Sequence, residues 1–248
     1  MKRPMADPNE HLALADWRRR VFAMYDALRR DTRAGPMRVV AFRAAKDRLF
    51  AEHPSSPIPA ERRHLFRGLA YWRHDPAFRF VVPFEPDSDA PGVEIPRSSG
   101  EVGFAFRRIG RVSFDVAGKA CSLGVYWIEG YAGGIFIPFR DETSGTATYG
   151  GGRYMWDSIK GADLGSEDGR LVIDFNYAYH PSCVYDARWS CPLPPPENRL
   201  PVAVEAGERL SPELAARLAE AEKVAAHAPA DESAAEEDSE EEAAESAA

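Results

Sequence analysis

Between residues 17 and 30 the apolar positions Trp17, Val21, Met24, Tyr25 and Leu28 recur at helical spacing, which predicts one buried face of a helix, with Asp16 able to cap its start. Gly35 and Pro36 interrupt this pattern, and a second helix is expected from about Met37 to Glu52 before Pro54 stops it. Residues 53–59 (HPSSPIP) read as an extended connector, because each proline disfavours helix in the residue before it. A short helical turn is expected over Glu61 to Arg67, with Gly68 available to end it.

From Phe78 the period shortens to two. Val102, Phe104 and Phe106 alternate with small residues, and Val112, Phe114 and Val116 alternate with Ser113 and Asp115, so two strands are predicted. Gly110 within Arg108–Arg111 and Gly118 within Ala117–Lys119 suggest hairpin links. Further strands are expected over Ala120–Glu129, Ile135–Arg140, Tyr149–Trp156, Leu171–Asn176 and Leu200–Val204. Successive strands with no helices between them predict a mainly β fold, an antiparallel barrel or sandwich preceded by helices. Ser211, Pro212 and Glu213 then open a C-terminal helix. The expected organisation is a helical region over 1–75 packed on the body, a β-rich domain over 76–210, a helix over 211–228 and a disordered acidic tail over 229–248.

Composition alters this picture in three places. A 248-residue chain that is 44% hydrophobic can bury a core without covalent staples. The net charge of -8 is concentrated in residues 231–248, which hold nine acidic and no basic side chains, so the rest stands near +1. That balance lacks the basic footprint of a nucleic-acid domain, and Arg18, Arg19, Arg20, Arg29, Arg30 and Arg33 read instead as a solvated helix face. No apolar run is long enough to span a membrane and no leader is evident, so a cytoplasmic location is expected. Cys121, Cys183 and Cys191 form an odd set without an export signal, and free thiols are expected.

The chemistry-bearing residues concentrate between 139 and 198, yet no Walker loop, GxGxxG turn, HExxH, GxSxG or paired CxxC is present. On a predicted strand, Asp174 and Asn176 would leave the same face roughly 7 Å apart. Arg153, sharing a face with Tyr149 and Gly151 on the preceding strand, is the natural bidentate partner for Asp174. The expectation is a small-molecule site for an anionic or carbonyl-bearing ligand, built from Arg153, Asp174, Asn176 and Tyr179, with Asp141 and Tyr149 at its rim. The competing reading is a buried structural ion pair.

A hydrolase-like enzyme would use the same residues, with Asp174 or Asp141 as general base and Arg153 stabilising developing negative charge. A non-catalytic scaffold recruiting a protein partner through the acidic tail is a third reading. Asp141, Thr143, Ser144 and Thr146 also form ordinary turn chemistry. His180, Cys183 and Cys191 have soft-ligand spacing for zinc but no evident fourth ligand, so no metal or cofactor is expected. A reversible Cys183–Cys191 disulfide is a further alternative to two packed thiols.

The succession FRDETSGTATYGGGRYMW, LVIDFNYAYHPSCVY and CPLPPPENRLPVAVEAGE resembles the family called domain of unknown function 1684, over roughly residues 35–210. The family pattern coincides here with Asp141, Thr143, Gly145, Tyr149, Gly152, Arg153, Tyr154, Asp174, Phe175 and Asn176. It continues through Tyr179, Pro181, Cys183, Tyr185, Cys191, Pro192, Pro195, Asn198 and Glu208. The resemblance implies a shared motif and no assigned activity.

Overall fold

The computed structural model describes residues 8–33, 35–87, 92–99, 103–130 and 133–227. Its helices are α1 (Pro8–Arg30), α2 (Gly35–Glu52) and the short α3 (Ala60–Arg63). The strands follow as β1 (Arg79–Val82), β2 (Glu85–Pro86), β3 (Gly92–Ile95), β4 (Phe104–Val116) and β5 (Lys119–Ile128). They continue as β6 (Ile135–Phe139), β7 (Arg153–Asp157), β8 (Ser166–Glu167) and β9 (Arg170–Asp174), and the helix α4 (Pro212–His227) comes last. Residues 1–211 and 212–248 are separate compact units, and α4 is the described part of the second. The predicted acidic tail over 229–248 lies outside the described residues.

The fold is mainly antiparallel β with N-terminal helices and a C-terminal helix. One sheet runs β2-β4-β5-β6-β7, with β3 also paired to β4; the other runs β1-β9-β8. Among the described residues neither sheet closes into a barrel. Phe80 of β1 stacks at 4.8 Å on Phe114 of β4, while Phe175, just after β9, meets Phe114 at 5.6 Å and Phe139 of β6 at 5.1 Å. These rings join the two sheets in one core. Tyr25 of α1 and Phe42 of α2 extend that core, with Phe42 edge-on to Tyr177 at 5.0 Å.

Several boundaries differ from the sequence expectation for local reasons. α2 starts at Gly35, two residues before the expected Met37, with Pro36 in its first turn, where a missing N–H costs no helical bond. The predicted hairpin at Arg108–Arg111 is instead an irregularity in the single long strand β4, whose register shifts between Arg108 and Gly110. Gly110 is required there: a β-carbon would stand 2.2 Å from the Glu85 carbonyl oxygen and 2.6 Å from the Phe84 ring. The hairpin at Ala117–Gly118 is present between β4 and β5.

Three predicted strands are shorter or absent. Tyr149–Gly152 forms a turn closed by the Gly152 amide donating to the Tyr149 carbonyl, so β7 begins at Arg153. β9 ends at Asp174, whose carboxylate accepts from the Asn176 amide and starts a 3₁₀ turn at Phe175–Tyr177. Leu200–Val204 builds no strand; it runs as an irregular strap beside the chain leaving β6, bonded through Leu200 to Arg140 and through Val202 to Glu142.

Candidate functional site

The predicted Arg153–Asp174 pair does not form. Arg153 opens β7 in the six-stranded sheet, whereas Asp174 ends β9 in the three-stranded one, so the two are not neighbours on adjacent strands. The Arg153 side chain is 1% exposed and directs its guanidinium at the strap instead. Nη1 donates to the carbonyls of Ala206 at 2.5 Å and Glu208 at 3.0 Å; Nη2 donates to Val204 at 2.8 Å and to Asp141 Oδ2 at 3.3 Å. The rings of Trp72 and Phe139 lie 5.2 and 5.0 Å from it. Burial lowers the Arg153 pKa, opposed by the Asp141 charge.

Asp141 completes this clamp. Its carboxylate accepts from the Val204 amide at 2.7 Å, from Thr143 Oγ1 at 2.9 Å and from Ser144 Oγ at 3.2 Å. Both candidate roles, general base and turn former, were open in the sequence; the geometry assigns the oxygens to the turn and the strap. Arg153 and Asp141 together hold an irregular segment that has no ladder of its own, and the guanidinium supplies what a neighbouring strand would otherwise supply.

Two further clusters surround the clamp. Glu208 accepts from Lys46 Nζ at 2.6 Å, from the His180 amide at 2.8 Å and from Tyr185 Oη at 3.3 Å, all buried. Lys46 Nζ also lies 4.5 Å from the centre of the Tyr179 ring, which packs beside β7 through reciprocal backbone bonds between Tyr179 and Tyr154. His180 Nε2 accepts from the Tyr149 amide at 3.3 Å, which places its proton on Nδ1, 3.7 Å from Glu208 Oε2. Burial, aided by Arg153 and Lys46, pushes the His180 pKa well below its usual value. His180 is therefore a neutral core group, and among the described residues no set of three or more His, Cys, Asp or Glu side chains is arranged to hold a metal.

Asn198 is a second buried amide that replaces missing ladder. Its Oδ1 accepts from the Gly124 amide at 2.8 Å, and its Nδ2 donates to the carbonyls of Gly124 at 3.1 Å and Pro138 at 2.6 Å. The β5–β6 ladder pairs Tyr126 and Trp127 with Phe136 and Ile135, and Asn198 bridges the two chains beyond it.

Asp174 and Asn176 do stand together, through the local turn. Asn176 Nδ2 donates to Asp174 Oδ1 at 2.9 Å and to the Asp75 carbonyl at 2.8 Å, and its Oδ1 accepts from the Asp75 amide at 2.9 Å. Asn176 is consumed in pinning the chain that enters β1. Asp174 differs: its other oxygen lies 3.8 Å from Arg79 Nε, and the residue borders a cavity of about 120 Å³. Arg29, Arg38, Arg79, Glu167 and Tyr177 line the same cavity. Burial raises the Asp174 pKa, opposed by the Asn176 hydrogen bonds and the Arg79 charge. Arg38, which also borders a hollow of about 300 Å³ between α1 and α2, has its Nε buried without a hydrogen-bond partner, while Arg29 reaches the Asp163 carbonyl and Arg79 pairs with Glu167.

Two larger hollows hold paired charged side chains. A groove of about 910 Å³ between α1 and α2 includes Asp16, Arg20 and His53, which bond one another. A hollow of about 460 Å³ contains Arg108 and Arg111, which are paired with Asp87 and Glu85.

With this geometry in place, the comparisons define the class. Residues 64–209 match the family described as protein of unknown function (DUF1684), and the chain belongs to that family. A solved relative is an uncharacterised protein of the haloarchaeon Haloarcula marismortui, determined by solution NMR. It is 37% identical, with a TM-score of 0.52 over 71% of this chain and 95% of its own. No curated protein matches the chain.

Among the residues that sequence reasoning missed, Lys46 left the clearest signal. It falls among Val39, Phe42, Leu49 and Phe50 on the buried face of α2, where an unpaired lysine is not tolerated. Arg38 and Arg79 left none, because each reads as an ordinary surface arginine until β1, β9 and α2 are brought together.

Proposed function

We propose that this protein binds a small anion, a carboxylate or inorganic oxyanion, in the cavity beside Asp174. The observation that carries the reading is the convergence of Arg29, Arg38 and Arg79 on one hollow. Among the lining residues three guanidinium groups stand with two carboxylates, Glu167 and Asp174, and Arg29 is also paired outside the cavity with Asp26 at 3.5 Å. At roughly 30 Å³ per water, a cavity of about 120 Å³ takes about four waters' worth of ligand, which suits a phosphate or a small carboxylate. This keeps the anionic ligand expected from the sequence but moves its site: of the expected lining residues Asp174 remains, while Arg153 and Asp141 clamp the strap.

Titration of the full chain with inorganic phosphate, followed by amide chemical shifts, tests the reading. Shifts should centre on Arg38, Arg79 and Asp174, and Arg38→Gln should weaken binding at least tenfold. Asp174→Asn should tighten it, because a repelling charge is removed while the oxygen that caps the following turn is retained. Shifts confined to the surface arginines of α1, unaltered by Arg38→Gln, would rule the site out.

A hydrolytic reading uses the same place. A carboxylate of raised pKa in a cleft beside arginines has the character of a general base. In that case Asp174→Asn would abolish turnover of a small ester or phosphoester while still tightening anion binding.

A further inference from the structure

The carboxylate of Asp174 uses its two oxygens unequally. Oδ1 accepts from the Asn176 amide at 3.0 Å and from Asn176 Nδ2 at 2.9 Å, and these bonds hold the group in place at the end of β9. Among the described residues no hydrogen bond reaches Oδ2; Arg79 Nε stands 3.8 Å from it, beyond hydrogen-bond range. The side chain is 5% exposed, so little bulk water is at hand to make good the deficit. Turning the carboxylate over exchanges the two oxygens and leaves one of them without a donor as before. Asp174 and Arg79 border the same cavity, between Arg29 of α1, Arg38 of α2 and Glu167 of β8.

We propose that Asp174 makes this cavity selective for an oxyanion that carries its own proton, such as hydrogen phosphate, over anions that carry none, such as sulfate or an ionised carboxylate. The selectivity rests on the anion site proposed above and names the residue that decides its ligand class. Guanidinium groups are donors only, so Arg29, Arg38 and Arg79 attract any anion without reading its protonation state. The hydroxyls of Ser166 and Tyr177 both give and accept, and they are equally indifferent. A carboxylate oxygen without a donor can only accept. Against an unprotonated ligand oxygen it adds like-charge repulsion; against a P–O–H group it gains a charge-assisted hydrogen bond, with the proton staying on the ligand.

Glu167, the other carboxylate at the cavity, does not share this role. Its side chain is 52% exposed and pairs with Arg79 through Oε1, so water meets what it lacks. An anion without a proton enters beside Asp174 only when solvent protonates the carboxyl. Burial raises the Asp174 pKa and so eases that step, while the Asn176 hydrogen bonds and the charges of Arg79 and His74 oppose it. Supplying that proton becomes costlier as pH rises, so the discrimination is sharpest above neutrality.

The test is calorimetric titration of the full chain at about pH 8, far above the ordinary carboxylate range, with phosphate, arsenate, sulfate and selenate at equal ionic strength. All four are tetrahedral and chiefly dianions there, but only phosphate and arsenate keep a proton. Phosphate should bind at least about tenfold more tightly than sulfate, and arsenate than selenate. Asp174→Asn, whose amide donates to any of them, should tighten all four, sulfate and selenate the most, and bring both ratios close to one. Glu167→Gln should shift the four affinities together and keep the ratios, which holds the proposal to account even where Asp174→Asn does not fold. Equal affinities in the wild type, a preference that survives in Asp174→Asn, or one lost in Glu167→Gln would overturn the selectivity and leave the anion site standing. Absence of binding by all four would overturn the anion site with it.

Discussion

Lys46 Nζ lies 2.6 Å from Glu208 Oε1, joining the middle of α2 to the end of the strap with both side chains buried. Removing the lysine leaves a buried carboxylate whose remaining donors are the His180 amide and the Tyr185 hydroxyl. Lys46→Met should therefore destabilise the fold by about 3–5 kcal/mol, the scale of a buried pair broken from one side. Adding Glu208→Gln should recover part of that loss, since glutamine still accepts from both donors without a charge. Urea midpoints of the two variants decide this: a double variant less stable than Lys46→Met would show that the charge itself is not the burden.

Arg153→Lys tests whether the guanidinium is a structural clamp. A single ammonium cannot reach the carbonyls of Val204, Ala206 and Glu208 together with Asp141, all of which now accept from Arg153. A loss on the order of 3 kcal/mol is expected. Hydrogen exchange should accelerate first at the Val204 amide, which depends on the Asp141 carboxylate that Arg153 holds in place. Uniform acceleration over the whole chain, with no excess at the strap, would show that Arg153 does not act locally.

What the sequence disclosed, and what it hid, follows from the range of each interaction. Helical spacing at Trp17–Leu28 and alternation at Val112–Val116 are local signals, and they yielded α1 and the end of β4. The alternation rule also placed Asp174 and Asn176 on one strand face, where it failed. Asp174 bonds the amide two residues on, and that local bond ends the strand. Pairing Arg153 with Asp174 failed for a different reason, since strands consecutive in predicted order belong to different sheets. The irregular strap over 200–208 was unreadable by periodicity because its stability comes from the Arg153 and Asp141 side chains, which replace a ladder. The motif richness of residues 139–198 thus marks chiefly the joints of the fold, and the arginines of the cavity beside Asp174, Arg29, Arg38 and Arg79, lie outside it.

Asn198 makes the same point as a measurable effect. Asn198→Leu would fill similar volume but leave the Gly124 amide and the carbonyls of Gly124 and Pro138 without their buried partner. Each unsatisfied buried group costs about 1–3 kcal/mol, so a loss of several kcal/mol is expected. Asn198→Asp should be milder at acidic than at neutral pH, because only the protonated acid can donate to a carbonyl. Thermal unfolding at pH 4.5 and 7.5 distinguishes the two substitutions.

His180 and Asp174 give the stability opposite dependences on pH. Burial holds His180 neutral, its pKa well below 6.5, so between that depressed value and 6.5 the unfolded chain carries a proton that the native chain lacks. Stability from this group is fully present above pH 6.5 and declines as pH falls through the window below it. From pH 7.5 to 5.5 the expected contribution is a loss of about 1.4 kcal/mol. Asp174 has a raised native pKa, so the native chain holds the extra proton between 3.8 and that raised value, and stability falls as pH rises through that window. His180→Gln keeps an oxygen for the Tyr149 amide and should flatten the decline between pH 7.5 and 5.5. Asp174→Asn should leave that decline intact and remove the opposing change at lower pH. Equal pH slopes for wild type and His180→Gln in urea unfolding would mean that His180 is not held neutral by the fold.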